Sequence, residues 1–188
     1  MKRWTLLVLL LALSATAASA SDVEERNKAL AKRVFEEVLA SGNWELGAQV
    51  YAPDFVNHGM TRDASLKEDT DASKGYKQAF PDLKMDVQMV MAEGDLVSVL
   101  WVAKGTNTGT GNGLPATGKP VQMRGITIWR IVNGQLKEEW SAFDQLSVMQ
   151  QLGLLPAPGS RAVETGSAGL YALVGTQARP PFSPYGRI

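Results

Sequence analysis

With 188 residues, 45% of them hydrophobic and 20% charged, the chain is long enough for one domain with a real core plus short extras. Nineteen basic residues balance nineteen acidic ones with no basic stripe, so binding nucleic acid by neutralising phosphates is not expected. Cysteine is absent and histidine occurs once, which excludes a disulfide framework and makes a zinc site, needing three or more such ligands, improbable.

The first twenty residues, MKRWTLLVLLLALSATAASA, read as a secretory signal peptide of bacterial character. Lys2 and Arg3 precede an apolar run from Trp4 to Leu13 that is short for a permanent membrane anchor, and Ala18-Ser19-Ala20 fits a cleavage site before Ser21. The expected locations are therefore the periplasm or the exterior. Cleavage leaves 17 basic against 19 acidic residues, a net charge near −2, and no later segment is apolar enough to span a membrane.

Asp22 to Ala40 carries Val23, Leu30, Val34 and Val38 with Ala31, Phe35 and Leu39 on one helical stripe, stopped by Gly42. Asn43 is placed to cap a short helix containing Leu46, Val50 and Tyr51, which Pro53 ends. A charged helix follows from Ser65 to Phe80. The acidic run Asp63, Glu68, Asp69 and Asp71, interleaved with Lys67 and Lys74, reads as a solvated helix face.

The period then changes to two. Leu83 to Met91 and Leu96 to Thr106 are strands about a Glu93-Gly94-Asp95 turn, and Gly105 to Gly118 is a glycine-rich loop. Within it Gly113 to Lys119 imitates a phosphate-binding loop, but Pro120 stands where Ser or Thr is needed and a strand follows. Val121 to Val132 and Gln135 to Asp144 form a hairpin about Asn133-Gly134, and Gln145 to Leu152 is a short helix that Gly153 stops. The domain limits are 1–20 for the leader, 21–156 for the folded unit and 157–188 for an irregular, Gly- and Pro-rich tail. Helices followed by an antiparallel sheet make an α+β plan.

The hairpin turn sets a register. If Val132 pairs with Gln135, then Trp129 faces Glu138, Thr127 faces Trp140, Gly125 faces Ala142 and Met123 faces Asp144. Asp144 then lies on the drier face, and Glu139 and Phe143 on the wetter one. A bulge in either strand would flip part of this assignment.

AQVYAPDFVNH (Ala48 to His58), AFPDL (Ala79 to Leu83), AEGDLVSVLW (Ala92 to Trp101), GLPATGKPV (Gly113 to Val121), NGQLKEEW followed by Asp144, and QQLGLLP (Gln150 to Pro156) occur in this order. Together they resemble the SnoaL-like polyketide cyclases (ester cyclases) of the nuclear-transport-factor-2-like superfamily, over Val23 to Pro156. The resemblance implies a cone, with a curved antiparallel sheet, N-terminal helices closing a pocket, and a homodimer formed across the sheet. It further implies an acid/base at Asp144, a histidine near the pocket at His58, and catalysis without metal or cofactor. Two positions depart from the pattern: Leu100 stands where many relatives have arginine, and Asn107 where they have histidine.

A carboxylate in an apolar cavity loses hydration and holds its proton to higher pH, which suits it to proton transfer beside a carbonyl. Asp144 is equally placed to cap the following helix, a role that would lower its pKa. His58 could orient a substrate carbonyl, share a proton with Asp144, or be structural. Trp101, Trp129 and Trp140, with Tyr51, Phe55 and Met123, are the expected pocket wall. The expected function is an exported, cofactor-independent acid/base enzyme of cyclase, isomerase or hydrolase type. It would act on a small hydrophobic carbonyl or ester compound. The alternative is a non-catalytic periplasmic small-molecule-binding protein.

Overall fold

The computed structural model describes residues 19–156. The predicted leader up to residue 18 and the tail 157–188 lie outside the described residues. Ser19 caps helix α1 (Ala20–Arg33) in a reciprocal box with Asp22, so the last two leader positions begin this helix. The predicted apolar stripe runs on into a π-helical segment (Val34–Ala40), which lays Val34, Phe35 and Val38 in the core. Val23, at the other end of the stripe, remains exposed. Asn43 accepts from the Leu46 amide and caps helix α2 (Trp44–Val50).

The helix expected to run to Pro53 gives way to a strand already at Tyr51. β1 (Tyr51–His58) carries Pro53 through an irregular stretch, where its pairing with the neighbouring strand lapses between Tyr51 and Val56. A residue without an N–H is tolerated there. β2 (Asp63–Ser65) is short, and Ser65 and Glu68 form the box that starts helix α3 (Leu66–Ala79). Four longer strands follow: β3 (Lys84–Glu93), β4 (Leu96–Thr106), β5 (Pro120–Val132) and β6 (Gln135–Phe143), then helix α4 (Gln145–Gln151).

The sheet order is β2-β1-β6-β5-β4-β3. Neighbours are antiparallel except β1 and β6, which run parallel. The expected curved, mainly antiparallel sheet is present, and β1, a distant N-terminal strand, closes on β6 in parallel. Val97, Val99, Trp101, Met123, Trp129, Ile131 and Leu136 line the inner face, and the helices cover it. Phe35 seats its ring 6.0 Å from Trp101 and 5.1 Å from Trp129.

The glycine-rich loop folds back along α3. A Cβ on Gly109 or Gly111 would stand 2.0 Å from the carbonyl oxygens of Gln78 or Gly75, so only glycine allows that approach. Fully buried Asn107 ties the loop together. Its amide donates to Ala79 and Gly109 carbonyls, and its oxygen accepts from the Thr117 N–H and hydroxyl. The departure at Asn107 therefore serves the loop's structure. Leu100 lies half-buried on the outer face of the sheet.

Asn133 and Gly134 both have positive φ, 52° and 76°, as their hairpin turn requires. Beyond the turn the register departs from simple alternation. Ile131 pairs with Leu136, but Arg130 pairs with Glu138, so β6 carries one extra residue beside Lys137. Everything after that bulge is turned over. Trp129 faces Glu139, Thr127 faces Ser141 and Gly125 faces Phe143.

Candidate active site

The bulge in β6 takes Asp144 off the apolar inner face of the sheet and turns Glu139 onto it. Leu136 and Glu139 are both buried although three residues apart, a spacing that uninterrupted alternation forbids. Ser141 and Phe143 follow Glu139 on the same face, and Phe143 packs between Tyr76 and Trp101, 6.0 and 6.2 Å away. Asp144 is exposed and is the N-cap of α4, accepting from the Ser147 amide at 2.9 Å. Of the two roles left open for it, the geometry gives the cap.

Glu139 is held on several sides. The Trp129 indole donates to its Oε2 at 2.7 Å, and the Asn57 amide donates to its Oε1 at 3.3 Å. The same Asn57 nitrogen donates to Asp69 Oδ1 at 2.7 Å, so one amide reaches two carboxyl groups. Its two hydrogens satisfy both acceptors, which also fixes the orientation of the amide. Asp69 comes from α3, where the sequence reading took it for part of a solvated face. It is instead half-buried and turned inward, as the contact with Asn57 requires.

The electrostatics follow from enclosure. Burial pushes the Glu139 carboxyl up to about 8, and the neighbouring Asp69 adds to the rise, while the bonds from Trp129 and Ser141 oppose it. Burial also raises Asp69, against the bond from Asn57. Two acids this close do not both ionise freely, so near neutral pH the pair keeps one proton. Tyr51 is buried beside them. Burial, then the charges of Glu139 and Asp69, hold its phenol protonated well above the usual range.

Five of the six predicted wall residues lie in the core: Trp101, Trp129, Tyr51, Phe55 and Met123. Tyr51 and Phe55 meet edge to face at 4.9 Å. Trp140 does not join them, because the bulge turns it to the outer face, where it stacks on His58 at 4.8 Å. His58 follows inward-facing Asn57 on β1, so alternation places it on the other side of the sheet from Glu139. There Nδ1 meets Asp63 at 3.1 Å and Nε2 meets Glu138 at 3.3 Å, and Arg130 bridges Glu138 to Asp95. The expectation of His58 as a helper in the pocket is corrected on that ground.

A separate open groove of about 880 Å³ lies between β1, β2 and the outer side of α3, lined by Phe55, Leu66, Lys67 and Thr70 among others. Neither Glu139 nor Asp69 lines it. Of the residues around the carboxyl pair, Asp69 is half-buried and Ser141 exposed. Among the described residues, no group of three or more His, Cys, Asp or Glu side chains is arranged to hold a metal ion.

A curved six-stranded sheet with helices over its inner face is the cone architecture of the nuclear-transport-factor-2-like proteins. The chain belongs to the SnoaL-like polyketide cyclase family, whose profile matches residues 29–152. It is similar in structure to AclR of Streptomyces galilaeus, described as a candidate hydroxylase: 26% identity, TM-score 0.67, covering 81% of this chain and 96% of that one. It is also similar to IdmH of Streptomyces antibioticus, a candidate polyketide cyclase: 27% identity, TM-score 0.61, covering 68% and 98%. A candidate polyketide cyclase from Acidithiobacillus ferrooxidans shares 29% identity with a TM-score of 0.60, covering 69% and 95%. No curated protein matches the chain.

Proposed function

We propose that this protein is an exported acid/base enzyme that enolises a small, hydrophobic, neutral carbonyl or ester compound, with Glu139 and Asp69 as its working groups. The observation that carries the proposal is a pair of inward-facing carboxyls bridged by Asn57 inside an apolar, tryptophan-rich interior. Groups whose surroundings separate their proton affinities divide naturally into acid and base. Glu139, the more deeply buried, is the acid that protonates a carbonyl oxygen. Asp69, nearer solvent, is the base that takes a proton from the adjacent carbon. The resulting enol can attack a second carbonyl to close a ring, or be reprotonated elsewhere as an isomer. The net charge of a half-ionised pair disfavours an anionic substrate, hence a neutral one.

The test needs no knowledge of the natural substrate. Hydrophobic ketones and 1,3-dicarbonyl compounds are incubated with the protein in D2O, and exchange of the α-hydrogens is followed by NMR. Exchange is expected with the wild type and with Asp144→Asn, which keeps the helix cap, and is lost by at least about a hundredfold in Glu139→Gln. Exchange that survives Glu139→Gln would overturn the assignment.

A non-catalytic carrier is the second reading. It is favoured by the way Asn57 and Trp129 already satisfy the pair within the protein, as in a structural polar network. Ligand binding that persists in Glu139→Gln, with no exchange in the wild type, would establish it. Export by cleavage after Ala20 and homodimerisation through the outer sheet face complete the proposal.

A further inference from the structure

We propose that Thr127 and Ser141 form an oriented hydroxyl chain that aims a proton donor at Glu139 and links it to solvent. The inference rests on Glu139 being the acid of the site, and it names the positioning residues that act through it. Thr127 and Ser141 are cross-strand partners on the inner face of β5 and β6, with their hydroxyl oxygens 2.6 Å apart. The Trp101 indole lies 3.1 Å from Thr127 Oγ1.

An indole N–H can only donate, so Thr127 Oγ1 is the acceptor in that bond. Thr127 is buried, and the acceptor within reach of its own hydrogen, among the described residues, is Ser141 Oγ. That leaves the Ser141 hydrogen free to point away from Thr127. Ser141 lies two residues beyond Glu139 on the same face of β6, and its side chain is among the groups that favour the ionised carboxylate. The order of donation therefore runs from Trp101 through Thr127 and Ser141 to Glu139.

An exposed hydroxyl aimed this way has two consequences. It stabilises the ionised carboxylate, setting the pH at which the site holds its proton. It also provides a path: the Ser141 hydrogen passes to the ionised carboxylate as Ser141 Oγ takes a proton from solvent, and rotation of the hydroxyl restores the starting state. Trp101 and Thr127 keep that hydroxyl from turning inward.

The experiment is an NMR pH titration read at the Trp129 indole N–H, which donates directly to Glu139. In the wild type the indole signal is expected to move with a midpoint well above the normal carboxylate range. Ser141→Ala, at an exposed position, should raise that midpoint by about one to two pH units, the effect of losing one hydrogen bond to an ionised group. Thr127→Val should raise it in the same direction, and Thr127→Ser should restore it. Unchanged midpoints in folded Ser141→Ala and Thr127→Val would overturn the chain while leaving Glu139 as the acid. An indole that does not titrate in the wild type would remove Glu139 itself.

Discussion

Glu139 and Asp144 are five residues apart and chemically alike, yet their surroundings make them opposites. Asp144 meets water and caps a helix, whereas Glu139 meets tryptophans and a second acid, which oppose its charge. That difference has a measurable sign. Between the ordinary glutamate value near 4.5 and the folded value near 8, the folded protein binds a proton that the unfolded chain has released. Stability should therefore fall as pH rises through this window, by up to about 1.4 kcal/mol per unit, and level off above it. Glu68, held near 2 by Ser65 and Arg62, acts in the opposite sense, but only below the window as its carboxylate protonates. Urea unfolding of the wild type at pH 5 to 9 should show the decline, and Glu139→Gln should flatten it. A wild-type profile already flat there would show that Glu139 does not hold its proton. At this scale the sequence was legible for residue type: an inward acid near the end of the hairpin was expected. The adjacent Glu138 and Glu139 held the missed clue, because either register turns one of them inward.

Most element positions were legible because they rest on local chemistry. Asn43, Ser65 and Asp144 cap their helices, Asn133-Gly134 turns its hairpin, and the alternation of β3 to β5 is strong. What escaped was non-local. The extra residue of β6 leaves no mark in composition, since Lys137 finds its partner Asp54 on the separate strand β1. Asp69 looks like any acid on a charged helix until β1 brings Asn57 beside it. The loop between β4 and β5 is a clearer case, where the glycines marked a loop and the structure uses them for close contact with α3. Gly111→Ala would force a methyl group onto the Gly75 carbonyl and should destabilise the fold by about 2–3 kcal/mol in urea denaturation. An unchanged midpoint would mean that the loop does not pack on α3 as described.

The molecule as a whole has one covered face and one bare one. Met89, Leu100, Ile126 and Ala142 are register partners in a row across four strands, with Met91, Ser98, Ile128 and Trp140 in the next row. Met89, Met91 and Ile126 are each about half exposed, at 51%, 58% and 49%. A continuous apolar patch of this kind is uncommon on a monomer. The proposed homodimer would bury it, and Ile126→Lys at its centre should convert the dimer to a monomer in light-scattering measurements while leaving the fold intact. A wild type that is monomeric at high concentration would discard the dimer. His58, stacked on Trp140 at the border of this patch, would then take its place near the subunit contact, away from the chemistry.

The parallel pairing of β1 with β6 also decides when the site can exist. Asn57 is synthesised 82 residues before Glu139, and no nearer strand can substitute for its partner. Until the last strand leaves the ribosome, β1 has β2 on one edge and no strand on the other, so the carboxyl pair cannot assemble. Under the proposed export, late closure would keep the nascent chain competent for passage through a translocase.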